Sequence, residues 1–261
     1  MDRCVFLLAT SLNQNPSQHP ARRFSKKMWS LPHKPMLDSR HASRLKLNSL
    51  SREVVNASKK RIFAMLRWDG TAGDSNWLNA EKLKMVACKN LDEMFALVSA
   101  NEIVFHLTFF MGAFEEYLES ELLAAFLLHV YQPDAPNTNN VSLVDSESKN
   151  VTNDASECSG TEVSRNIMLQ VMHSSHAHSE SWHNFLQWYP NVWLGAFSDA
   201  SGEIMKRGVL WTSIETGHYF EEALAAVRHI CAFLESCGEV KGIKSKLEGA
   251  NRNKDKLEKS T

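Results

Sequence analysis

Between Arg44 and Trp68 a period of three to four positions runs through Leu47, Leu50, Val54, Ala57, Arg61 or Ile62, and Met65. At 3.6 residues per turn that spacing forms a single stripe, so it predicts an amphipathic helix whose other faces carry lysine and arginine. After Gly70 and Gly73 the period returns at Leu83, Val86, Ala87, Leu91, Met94, Phe95 and Val98, predicting a second helix over about 77–98. Ser99-Ala-Asn-Glu102 matches a capping box, in which the glutamate reaches back to the cap, and it opens a third helix over about 102–131. Leu107, Phe110, Phe114, Tyr117, Leu118, Leu122, Phe126 and Val130 are its inward positions. Glu115, Glu116, Glu119 and Glu121 are read as its wet side.

Pro133 and Pro136 stop that helix, and Asn, Ser, Thr and Asp dominate the stretch that follows. This predicts a long disordered loop over 132–160, an insertion or a linker between two helical halves. Ser159-Gly-Thr-Glu162 repeats the capping pattern and starts a short helix through about Met172. Another turn or two follows Ser181 and ends at Pro190. Val192–Phe197 and Val209–Ile214 read as a small β-hairpin around Ser198–Gly202, with a helical second half as the alternative. Phe220, Leu224, Val227, Ile230, Cys231 and Leu234 predict the last helix, with Thr216 as its cap and Gly238 as its stop. The expected fold class is therefore mainly α: an irregular helical bundle of about five to seven helices.

Charge divides the same chain into three blocks. Residues 1–61 hold thirteen Lys/Arg against three Asp/Glu, residues 62–240 nine against twenty-four, and residues 241–261 seven against three. Such segregation suggests separate roles for the ends and the middle. Residues 1–43 contain Pro16, Pro20, Pro32 and Pro35 and keep no apolar period, so they read as a disordered basic leader. Rich in Arg and Ser and poor in acid, that leader has the composition of a transit peptide, which points to a mitochondrion or plastid. A basic arm retained in the cytoplasm or nucleus is the next reading. Residues 44–240 form the expected helical domain, and 241–261 a basic, disordered tail with little to bury. The five cysteines include no C-x-x-C pair, which argues against a disulfide framework or a zinc ribbon. Glutamates follow the apolar run Ile103–Phe114, leaving it too short to cross a bilayer.

No phosphate loop, dinucleotide fingerprint or nucleophile elbow occurs, so no motif specifies a reaction and no cofactor is expected. Four imidazoles, His173, His176, His178 and His183, fall within eleven residues. Neutral imidazole is a common ligand for zinc and other transition metals; a solvated histidine-rich loop is the plainer reading. Trp182, Trp188, Trp193 and Trp211 anchor an aromatic cluster suited to core packing or to a protein interface. Arg52, Lys59, Lys60 and Arg61 are candidate phosphate contacts on the first helix, or solvated charges on a core helix.

Lys84-Met-Val-Ala-Cys-Lys-Asn-Leu-Asp-Glu-Met-Phe-Ala-Leu-Val98, followed by an apolar helix from Asn101, resembles one helical-hairpin unit of the octotricopeptide and FAST-type organellar RNA-binding repeats. The resemblance covers about thirty-five residues, whereas a stable solenoid needs about three stacked units. It implies an organellar setting and carries no functional residues across. The expected function is a non-enzymatic adaptor or assembly subunit acting through protein partners, with an RNA-binding helical-repeat factor as the alternative. A metal-dependent enzyme built on the histidines is the third reading.

Overall fold

The first stripe forms α1, Lys34–Met65, a helix that starts ten residues before the expected domain boundary. Leu47, Val54 and Met65 are fully enclosed, and residues 38–42 project into solvent. The structure, a computed structural model, describes residues 34–131, 171, 180–212, 217–238, 240 and 242–260. The rest of the expected leader, the 132–160 loop, Thr216, and all of the short helix before Met172 except a buried Val171 lie outside the described residues.

A tight turn closes α1, and an arginine from far along the chain secures it. Arg207 donates to the carbonyls of Leu66 at 2.7 Å and Trp68 at 2.6 Å, satisfying oxygens of the turn that follows the helix. Its guanidinium also bonds the Tyr131 hydroxyl and lies 5.3 Å from the centre of the Trp211 ring. Gly70 turns the chain with φ at 92°, and a Cβ there would sit 2.5 Å from the Tyr131 ring. Helix α2, Ser75–Ala96, opens on Asp74, whose carboxylate accepts from the backbone N–H groups of Asn76 and Trp77. Glu102 accepts from the Ser99 backbone N–H at 3.4 Å, as the capping box requires, but the first element it opens is a 3-10 helix, Ala100–His106. Helix α3, Leu107–Tyr131, continues from it.

Among the residues of α3 only Thr108 is exposed, so both flanks of this helix must be covered. Helices α1 and α2 pack against each other, and α1 covers one flank of α3. The other flank meets α5, Asn191–Thr212, which packs with α6, Gly217–Ser236, and α7, Ile243–Glu258. Helix α4, Glu180–Trp188, adds an aromatic plug. Phe185 stacks on Phe114 with ring centres 5.0 Å apart, and Trp182 sits edge-on to Phe114 at 5.2 Å.

Two expectations are corrected. Residues 192–212 of the expected hairpin belong instead to α5, where Val192, Ala196, Phe197, Ala200, Ile204 and Trp211 are buried at helical spacing, and 213 and 214 lie outside the described residues. Small residues between them let neighbouring helices come close. A Cβ on Gly208 would lie 2.7 Å from Leu257 of α7 and 2.9 Å from Ala223 of α6. The tail after Val240 is a docked helix rather than a frayed end. Ile243, Ala250 and Leu257, seven residues apart, are buried on α5 and α6, with Leu247 partly buried beside them. Helix α6 matches its expected stripe, and Gly238 with φ at 62° ends it.

Because Leu257 is fully enclosed, Leu257→Ala should cost roughly 2–4 kcal/mol in denaturant unfolding. The same change should make residues after Val240 the first site of limited proteolysis; a frayed tail would show neither effect.

Candidate functional site

The glutamates read as the wet side of α3 are largely turned inward, because a helix buried on both flanks has almost no wet side. Each meets a different environment. Glu121 is deeply buried between the Arg61 guanidinium, in direct contact, and Lys84 at 2.8 Å. Burial alone would push its carboxyl up, but those two cations hold it below the usual carboxylate range. Arg61 also donates to Ser120 at 3.0 Å and pairs with Glu81 at 3.5 Å. Near this cluster the Cys88 thiol donates to the Tyr117 hydroxyl at 3.4 Å, and burial pushes both groups up, away from reactive anionic forms. Glu115 pairs with Lys246 at 2.6 Å, and Glu116 with Lys59 at 3.0 Å.

Glu119 is different. It is 8% exposed and has no hydrogen bond or ion pair among the described residues. Desolvation, followed by the carboxylates of Glu116, Asp199 and Glu203, pushes its pKa up to about 8. At neutral pH this carboxyl is therefore mostly protonated.

Glu119 lines an open groove of about 770 Å³ where α1, α3, α5 and α7 meet. Its apolar wall is Ile62 and Phe63 of α1 with Leu66 just beyond the helix end. Phe63 is 57% exposed and carries the Arg67 guanidinium 4.0 Å above its ring. Helix α5 contributes Asp199, Gly202, Glu203 and Lys206, with Lys206 bound to Glu203 at 2.6 Å. From α7 come Arg252 and Lys256, which have no ion pair among the described residues. The arrangement can hold and release a proton and receive a charged group beside an apolar one.

The residues singled out in the sequence fall elsewhere or scatter. His173, His176 and His178 lie outside the described residues, and His183 is half-buried on α4. Among the described residues no group of three His, Cys, Asp or Glu is placed to hold a metal ion. Trp182, Trp193 and Trp211 are buried in the core, while Trp188 is 58% exposed. Arg61 is enclosed at 1% exposure, and Lys59 is engaged with Glu116, so Arg52 and Lys60 are the exposed, uncommitted members of their group. Helices α2 and α3 meet through side chains, with Phe95 against Phe110 at 4.9 Å and Lys84 on Glu121, but each packs its backbone more closely on α1 than on the other. Among the described residues no helix is long and apolar enough to cross a membrane. No protein-family model matches the chain, and no curated protein matches it.

Two outcomes follow from the contrasting glutamates. Arg61→Ala should cost about 3–5 kcal/mol of unfolding free energy, because it leaves Glu121 buried with one partner fewer. Glu119 binds its proton more tightly folded than unfolded, so it lowers stability as pH rises from about 4.5 to about 8. Glu119→Gln should therefore exceed wild type by roughly 1–3 kcal/mol above pH 8, with the gap closing toward pH 4.5.

Proposed function

We propose that this chain is a non-enzymatic helical adaptor or assembly subunit that works by protein–protein contact inside an organelle, a mitochondrion or plastid. The observation that carries the reading is the four-helix groove, where an exposed phenylalanine stands opposite buried and partnered charges. A partner helix laid into a groove uses such a mixture: an apolar anchor for affinity and charged walls for register. Further apolar side chains stand in solvent, among them Phe105 at 81% exposure and Met85 at 69%. Exposed apolar surface of this kind marks contact sites. The organellar setting is supported by the Arg- and Ser-rich composition of residues 1–43.

An RNA-binding role through α1 has less behind it. With Arg61 enclosed and Lys59 paired, Arg52 and Lys60 offer few phosphate contacts, and affinity from phosphate contacts grows with their number.

Tagged full-length protein isolated from its native cells should carry a stoichiometric protein partner. Phe63→Asp, at a position exposed enough to leave the fold intact, should lose that partner while keeping the wild-type helical circular dichroism. Isolation as a lone chain would overturn the reading, as would RNA as the retained component, lost on Arg52→Ala/Lys60→Ala.

A further inference from the structure

The other acidic side chains around Glu119 are already paired with lysines, one of which serves two acids. Lys59 of α1 is held by Glu116, Lys206 of α5 by Glu203, and Lys246 of α7 by Glu115 and, at 3.4 Å, by Asp199. Arg252 and Lys256 stand on the α7 wall of the same groove. Glu119 lies among these pairs, more than nine-tenths buried, lining the groove with no partner among the described residues. Three carboxylates weigh against its ionisation, and Lys206 only partly offsets them. A cation placed beside it would pair with the one carboxyl that has no partner, in a site where burial weakens solvent screening.

The surroundings restrict what that cation is attached to. No set of three donors is placed for a metal ion among the described residues. The groove is far larger than one ammonium group needs, and a wall of Ile62, Phe63 and Leu66 faces the acids. The uncommitted Arg252 and Lys256 sit one helical turn apart and would receive an acid. These features together describe one face of an amphipathic helix.

Building on the protein-contact reading above, we propose that the groove binds a partner's amphipathic helix that presents a lysine or arginine to Glu119 and an apolar side chain to Phe63. Seating the cation drives the proton from the Glu119 carboxyl to solvent, and an ion pair forms in its place. No bond of the partner is made or broken. Binding is thereby linked to pH, tightening as pH rises through the range in which free Glu119 titrates.

The test uses the full chain and a synthetic amphipathic peptide of Leu, Ala and Lys, about eighteen residues or five helical turns long. Calorimetry near pH 7 in two buffers of different ionisation enthalpy counts the protons released. Close to one proton per bound peptide is expected, with affinity about tenfold tighter near pH 8.5 than near pH 6.5. Glu119→Gln, which mimics the protonated carboxyl and so preserves the fold, should abolish both the release and the pH dependence. A peptide with Gln in place of Lys should bind wild type without releasing a proton. The proposal is overturned if the lysine peptide does not bind, if it binds with no proton release, or if Glu119→Gln leaves the release unchanged. The two readings can fail separately. A native partner lost on Phe63→Asp but kept unaltered by Glu119→Gln would leave the adaptor role standing and remove this one. The absence of any native partner would remove the adaptor role itself.

Discussion

Everything in this fold depends on the burial of α3. Twenty-four of its twenty-five residues are buried or partly buried, so no flank can be left in water. One flank takes α1, which brings α2 with it; the other takes α5, which brings α6 and α7. The two groups meet through α3, and Arg207 ties them again by gripping the end of α1 from α5. The central helix also carries charge inside. Four glutamates lie along 115–121, and the fold treats them unequally. Three receive lysine or arginine partners, and one has none and lines a groove with its pKa pushed up to about 8.

The charge blocks take on a different meaning in three dimensions. Read along the chain, basic ends and an acidic middle suggest separate roles. Folded, the ends return to the middle. Lys46 of α1 meets Glu93 of α2, Lys59 meets Glu116, and from the tail Lys246 meets Glu115 while Arg228 of α6 holds Glu258. Exposed pairs of this kind contribute little stability each. Part of the basic excess is therefore spent within the molecule, and the share open to RNA or membrane phosphates is smaller than the block totals imply.

Legibility followed the strength of the periodic signal. In α1 and α6 every residue the stripe names is buried, because a single apolar face repeated over several turns has one geometric solution, although small residues and Arg61 join them. Helix α5 was obscured by its glycines and serines, which lower helix propensity yet permit close packing. Helix α7 hid a seam of Ile243, Ala250 and Leu257 under lysines that carry the average. For the groove, a signal existed without a location. Glutamates in a helix apolar on nearly every side must have some go inward, but spacing alone does not say which. The tryptophans illustrate the same limit, since Trp188 is open to solvent while Trp182, Trp193 and Trp211 share the interior.

From residue order alone came the helical class, the stripes of the first and last long helices and the capping box at Ser99, all set by interactions within a few turns. Which carboxylate keeps its proton, which arginine is enclosed and where four helices leave an opening depended on contacts between distant segments. Glu119 and Glu121 are two residues apart on one helix. One faces Arg61 and the other faces Asp199 and Glu203, because helical rotation aims them at different neighbours. Electrostatic environment is a property of those neighbours, and only folding brings them together.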